Sequence, residues 1–509
     1  MLKKIIYILG MISLVIITIL NIVYTATLDD SEHIKISNNG FLYIVGLIIL
    51  EIAIFTICKI INSKLNKENN VKKKKIFMGI TITIYIIFNI LWCVFINPPI
   101  VGDQIHACNL AQTFYSGNDE EFLPNVTYAG IPLIEYMQAY HQQISLAFVF
   151  SVFFRIIHFD GIGILRVLNI IGNIGIIIVL IKTCNQLKKK YNINKTTLLV
   201  LTTTFFPLIM LTTFIYGDIP SIALCLFSVY FAMRYTETNK YRYIIGASFL
   251  TMIAFMMRMN SLIFIIATTM YLVFSLINAF KNSSKKENII KVILILLYIT
   301  VSIIPSNLVK SYYIDKYNLD REKAYPNISY FLMAMEESPR ANGWYSESIG
   351  EPALRNPRDK EIEYADRIKD RINYFANHLN YAFDFYTKKL ASMWTENTYS
   401  AIFNNNIENI PLEKIEGTLL FYEKTILIFT SVSCIFILLQ LRKNITLELL
   451  FLVTIFIGGF TFHILWEAKS RYIIPYIIVL IPIASIIIDT TTIKKIFLGI
   501  YNKIIKNNT

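Results

Sequence analysis

Charge is scarce in this 509-residue chain: Asp, Glu, Lys and Arg together make up 16% of it, where a soluble domain carries about 25%. With 55% of the residues hydrophobic, the shortage excludes an ordinary water-soluble globule and points to lipid as the solvent. No Gly-rich phosphate loop is present, so a nucleotide-handling site of that kind is not expected. The six cysteines (Cys58, Cys93, Cys108, Cys184, Cys225, Cys434) are scattered and form no CxxC pair, which removes the basis for a disulfide framework or a zinc site. No internal repeat is visible, and this counts against transporters built from inverted repeats. The net charge is +13, yet no basic face is interleaved with aromatics, so nucleic acid is not an expected partner.

What the chain does have is apolar runs, each about long enough to cross a ~30 Å hydrocarbon core, separated by short Lys-rich connectors. The first run, Lys3 to Tyr24, is followed by no small-residue cleavage site and is read as a retained helix rather than a signal peptide. Placing the basic connectors in the cytoplasm gives about twelve spans, near 4–24, 41–61, 76–96, 163–183, 196–215, 218–235, 243–258, 260–280, 291–310, 417–440, 446–466 and 472–489, with both termini cytoplasmic. The run 142–158 is short and carries Arg155 and His158. If it crossed, Lys188-Lys189-Lys190 would fall outside, against the positive-inside tendency, so this run is expected to lie along the interface or re-enter. The abundance of Ile, Asn and Lys suits an AT-rich bacterial genome.

The expected organisation is all-α and polytopic, in four parts. Residues 1–75 form two N-terminal spans and a basic cytoplasmic loop. Residues 76–310 form a transmembrane core with a first outer loop at 97–140. Residues 311–416 form a mostly helical extracytoplasmic segment, and residues 417–509 the C-terminal spans with a basic tail. In the outer segment Ile362, Ala365, Ile368, Ile372, Phe375, Leu379, Phe383, Tyr386, Leu390 and Trp394 recur at steps of three or four, the pattern of one face of a long amphipathic helix. Loops of this length in a compact protein are usually functional.

Polar residues able to do chemistry gather on the expected outer side. Asp103 opens the first loop and could act as a general base; it could equally be a helix N-cap. His106, three residues on, would share its helical face, so the two are the metal candidates should a divalent cation be needed. Asp218, followed by Pro220, begins another helix, with the same N-cap alternative. Arg258 lies between two apolar runs with almost no loop and needs a partner, for which a phosphate, Asp218 and Glu467 are candidates. Trp466-Glu467-Ala468-Lys469-Ser470-Arg471-Tyr472 precedes the last span; Lys469 and Arg471 could attract a lipid phosphate or simply snorkel. Asn342-Gly343-Trp344-Tyr345 in the large loop is the place to look for acceptor contacts, through Trp344 and Tyr345.

Taken together, Gly102-Asp103-Gln104-Ile105-His106 resembles the Asp-Glu motif of the GT-C superfamily of integral-membrane glycosyltransferases, as carried by the protein O-mannosyltransferases and the aminoarabinose transferase of lipid A. Tyr136-Met137-Gln138-Ala139-Tyr140-His141-Gln142 is similar to the stretch that ends the first outer loop in bacterial members, without its Pro. Glu467, Arg471-Tyr472 and Pro475 resemble the Glu–Arg-Tyr–Pro pattern near their last core helices. The resemblance covers roughly 76–310 and 446–490 and implies an inverting transferase that uses a polyprenyl-phosphate sugar. Asp103 would be the base. Arg258, Lys469, Arg471 and His141 would meet the donor phosphate. Asp218, Gln104, His106, Glu467, Trp344 and Tyr345 would support the site or hold the acceptor. Gln104 stands where those families carry Glu, which removes the paired carboxylate from any metal site and leaves the base role of Asp103. The expected acceptor is a cell-envelope glycan, teichoic acid or surface protein, on the extracytoplasmic face of a bacterial cell membrane. The rival readings are a lipid or polysaccharide flippase, which should carry charges deep in several spans, and a glycan polymerase or ligase.

Overall fold

The computed structural model describes residues 2–67, 71–280, 283–405 and 411–488. The basic C-terminal tail expected in the cytoplasm lies outside the described residues. The fold is helical apart from two small antiparallel hairpins, Tyr24–Leu28 with Ile34–Asn38 and Thr127–Tyr128 with Ile131–Pro132. Among the described residues nine helices are long and apolar enough to cross a membrane, and the pair Lys195–Thr203 and Phe206–Thr213, bent by 47°, makes a tenth if counted as one span.

Two of the expected spans are short helices: Tyr241–Met257 has 17 residues and Ile474–Ala484 has 11. At 1.5 Å per residue neither bridges ~30 Å as a straight helix. Both nevertheless join the two ends of the bundle. Arg242 at the start of the first stacks on Tyr243 beside Arg234, and Arg258 at its far end turns into extended backbone. The last helix starts beside Arg471, and beyond it Ser485 and Ile487 hydrogen-bond Asn194 and Asn192 at 2.7 Å each, next to the Lys188-Lys189-Lys190 connector. The twelve expected segments are thus nine long helices, one broken pair and two short helices.

The bundle has a basic end and an opposite end rich in loops. At the basic end Lys189 pairs with Glu237, and Lys190 Nζ lies 2.9 Å from Glu448; Lys3 sits there too, beside Phe274 and Leu447. The helix Lys285–Lys316 opens nearby on a capping box of Ser284 and Glu287, which satisfies two of the N–H groups that a helix start leaves open. Its other end belongs to the loop-rich side, where the Tyr317 hydroxyl donates to Asp119 at 2.8 Å.

The helix His141–Ile157 stays on that loop-rich side. Ser145 Oγ lies 3.0 Å from Ser306 Oγ, and the Phe148 ring is 6.4 Å from Tyr313, two turns further toward the loops. Its far end is bound to the first-loop helix Asp103–Ser116: Arg155 donates to the Phe114 carbonyl at 2.7 Å, and Gln112 donates to the Asp160 carbonyl at 2.9 Å. It therefore runs beside the first-loop helix and does not head for the basic end.

The segment beyond Lys316 departs from the single long helix suggested by its periodicity. Pro357–Asn377 and Leu379–Trp394 are separate helices, broken at His378 (φ −131°, ψ 64°). The break changes the face presented, and Ile362, Ile372, Leu379 and Phe383 of the expected stripe are exposed, while Phe375 and Trp394 are buried. Charge is also found inside one span: Glu423 and Lys424 are fully buried in Glu413–Leu441. Each holds a backbone group, the Phe206 N–H at 2.9 Å and the Tyr24 carbonyl at 2.6 Å.

Candidate active site

The first-loop helix begins where Asn97-Pro98-Pro99 ends the third long helix. Gly102 precedes it with φ +56°, a backbone region that glycine enters at little cost. Asp103 then occupies the first helical position, where the positive end of the helix dipole favours a carboxylate. Its side chain is exposed and faces a cavity of about 520 Å³.

Two tyrosines fix that carboxylate. Tyr136 donates to Asp103 Oδ1 and Tyr216 to Oδ2, both at 3.1 Å. Gln104 is buried and turns away from Asp103; its Oε1 accepts the Ile215 N–H at 2.9 Å. It thereby ties the first loop to the segment that carries Tyr216. The Tyr216 ring lies 4.7 Å from the Arg258 guanidinium carbon, a cation–π distance. Arg258 Nε is 3.3 Å from Asp218 Oδ1, and Arg471 Nε is 3.8 Å from the same oxygen. Asp218 thus lies beneath the cavity as the anion shared by two arginines.

Asp103, Gln104, Arg258, Tyr345, Glu467, Lys469 and Arg471 all line this cavity. His141 and Trp344 do not. The Trp344 indole is buried and donates to Ser392 at 2.8 Å, while the neighbouring Tyr345 reaches the cavity wall. His106 is buried behind Asp103 and stacks on Tyr136 at 4.1 Å; burial pulls its pKa down. Burial and the nearby Arg321 and Lys310 do the same to His141. Among the described residues no three His, Cys, Asp or Glu side chains cluster as metal ligands, and Asp103 and His106 alone make a poor cage for a divalent ion.

Several wall residues carried no recognisable signal in the sequence. Glu32, at the turn of the N-terminal hairpin, pairs with Arg340 of the large loop and with Lys469, the latter at 2.6 Å. It unites segments more than 300 residues apart. Lys310 lines the cavity from the helix Lys285–Lys316. An aromatic wall, Tyr140, Tyr325, Tyr330 and Trp466, faces these cations, with neighbouring rings 5.0–5.7 Å apart. These aromatics come from three segments far apart in the chain, so no local pattern gathers them.

The cavity-lining segment 466–471 is anchored from behind. Lys389 is fully buried, and its Nζ donates to the carbonyls of Ala334, Ile464 and Trp466 at 2.8–3.0 Å. Ala468 N–H donates to the Gly343 carbonyl at 2.7 Å. Burial pushes the Glu467 carboxyl above its ordinary range, and burial with Arg471 pulls Lys469 below its own.

Comparison with known proteins bears on the same region. Residues 142–304, about a third of the chain, match a family model described as dolichyl-phosphate-mannose-protein mannosyltransferase. The matched stretch contains Asp218 and Arg258 and ends before Lys310; Asp103 and the 466–475 motif lie outside it. No curated protein matches. The solved structure of the archaeal oligosaccharyltransferase AglB from Archaeoglobus fulgidus, in complex with an inhibitory peptide and a dolichol-phosphate, aligns at a TM-score of 0.41 and 12% identity, over 86% of this chain and 52% of that one. The chain thus spans about half the length of that protein. The family match falls on mannosyltransferases of the kind that the loop motifs resemble, and over that central third the chain is similar to their model.

Proposed function

We propose that the protein is an inverting GT-C-type glycosyltransferase, moving a sugar from a polyprenyl-phosphate donor to a cell-envelope acceptor on the extracytoplasmic face of a bacterial membrane. The observation that carries the proposal is an exposed carboxylate, Asp103, held by two tyrosine hydroxyls at the wall of a cavity shared with Arg258, Lys469 and Arg471. Such a pairing suits displacement at a glycosidic carbon, where one group must accept a proton and others must stabilise a leaving phosphate.

In the reaction, Asp103 takes the proton of an acceptor hydroxyl as its oxygen attacks the anomeric carbon. The bond from that carbon to the phosphate oxygen breaks with inversion, and polyprenyl phosphate departs with the electron pair. Preorganised cations at the departing oxygen lower the barrier. Tyr136 and Tyr216 aim the carboxylate. The aromatic wall of Tyr140, Tyr325, Tyr330 and Trp466 offers faces against which sugar rings pack. No step is assigned to a metal. The acceptor is a glycan, a teichoic acid or a surface protein. The Lys-rich connectors at the opposite end of the bundle support an extracytoplasmic site.

The test is mass spectrometry of envelope polymers from cells with and without the protein, joined to an in-vitro assay for release of polyprenyl phosphate. A missing sugar substituent together with acceptor-dependent release supports transfer. An unchanged envelope profile with no release rejects it.

A further inference from the structure

Five cationic side chains line the cavity: Arg258, Lys310, Arg340, Lys469 and Arg471. Four already have carboxylate partners. Arg258 and Arg471 share Asp218 at 3.3 and 3.8 Å. Lys469 pairs with Glu32 at 2.6 Å, and Arg340 pairs with Glu32 and, at 2.9 Å, with Glu347. Lys310 differs. It is half-buried on the helix Lys285–Lys316, and among the described residues it has no ion-pair or hydrogen-bond partner. An unpaired ammonium half-buried in a cavity wall is costly to keep and favours an anionic ligand there.

The surroundings of Lys310 indicate which anion it awaits. One side of the cavity is apolar, formed by Phe255, Met256, Met257 and Met259 at the end of Tyr241–Met257, a helix that packs against the helix bearing Lys310. Methionines are flexible and adapt to irregular apolar chains. On the helix of Lys310 itself, Ile304 and Leu308 are exposed, as lipid-facing positions are. The free charge therefore sits where an apolar wall meets the lipid-facing surface. A phosphate with an isoprenoid tail satisfies both features, whereas a soluble phosphate satisfies only one.

Resting on the transferase reading above, we infer that Lys310 is the phosphate-binding cation for the lipid donor, with the isoprenoid chain leaving along Phe255, Met256, Met257 and Met259. The paired arginines then act as a preset positive surface for the transition state, and Lys310 supplies the charge that the ligand itself neutralises.

The test uses the full chain purified in detergent and two probes, farnesyl phosphate and glycerol 3-phosphate. Affinity and melting temperature are measured for the wild type and for Lys310→Met, Lys310→Arg and the surface control Lys316→Gln. Loss of a charge-assisted contact predicts farnesyl phosphate binding weakened roughly tenfold to hundredfold in Lys310→Met, retained in Lys310→Arg and unchanged in Lys316→Gln. Because the wild-type charge is unpaired, ligand-free Lys310→Met should melt no lower than the wild type, which a purely structural lysine would not allow. Equal farnesyl phosphate affinity in wild type and Lys310→Met, or a lower melting temperature in the variant, overturns the assignment of Lys310 alone. Equal loss of glycerol 3-phosphate affinity overturns the lipid source of the phosphate. A wild type that binds no isoprenoid phosphate overturns the transferase reading along with it.

Discussion

The Tyr216 hydroxyl donates to Asp103 Oδ2 at 3.1 Å while its ring lies 4.7 Å from the Arg258 guanidinium carbon. One phenol therefore connects the acidic and basic sides of the cavity. Tyr216→Phe keeps the ring beneath Arg258 and removes the hydroxyl, which donates to the carboxylate and accepts from Gln143 Nε2. Transfer should fall by roughly tenfold to hundredfold, as expected for a lost hydrogen bond to a charged group, with little change in donor affinity. Initial rates and donor KM, measured side by side, check this.

Glu32 is the shared anion of Arg340 and Lys469. Glu32→Gln leaves two cations facing each other across a half-buried space. Breaking one partner from a buried ionic group costs roughly 3 kcal/mol or more. The expected result is a lower melting temperature and increased protease cleavage in the 24–38 hairpin. Unaltered stability would mean that the hairpin is held by its backbone contacts alone.

Gly343 has φ +77°, and a Cβ built there would lie 2.6 Å from Cδ of the buried Lys389. Both the left-handed backbone and the packed lysine oppose a side chain. Gly343→Ala should cost about 1–3 kcal/mol from backbone strain and displace the 466–471 segment through the Ala468–Gly343 hydrogen bond. Thermal unfolding and transfer rate should therefore fall together.

Lys389 gives a pH signature. Burial lowers its pKa from the ordinary 10.5 to about 7, against the opposing pull of Glu467. Between these two values the unfolded chain holds a proton that the folded chain has released, the neutral amine keeping two N–H donors for its three carbonyls, so this group makes stability rise with pH from about 7 toward 10.5. Below pH 7 both states are protonated and its contribution is flat. Lys389→Met removes the slope and also strands the carbonyls of Ala334, Ile464 and Trp466. Melting curves of the two proteins across this range should diverge most at the alkaline end. Parallel curves would place the Lys389 pKa near its ordinary value.

Much of this arrangement was legible in the sequence because membranes impose strict rules. Span length and the placement of lysines along the chain marked the apolar segments and gathered Asp103, Arg258, Lys469 and Arg471 on one side. Short motifs then singled out residues that the fold brings to one cavity. Other features depend on contacts that no local pattern encodes. Glu32 meets Arg340 and Lys469 only after the N-terminal hairpin folds across the large loop. Lys310 belongs to none of the short motifs, and its lack of an ion-pair or hydrogen-bond partner among the described residues is a property of the packed structure. The periodicity from Ile362 to Trp394 was real, but it ran through a helix break at His378 that contains neither Gly nor Pro, so the exposed Leu379 and Phe383 could not be foreseen.

The central claim is tested most directly by Asp103→Asn, an isosteric change that keeps hydrogen-bonding capacity and removes the base. Purified protein is given a polyprenyl-phosphate-linked sugar and an envelope acceptor, and sugar transfer and donor binding are measured on the same preparation. The account predicts a loss of roughly 10²–10⁴-fold in transfer with donor binding intact. Transfer at the wild-type rate in Asp103→Asn would contradict it.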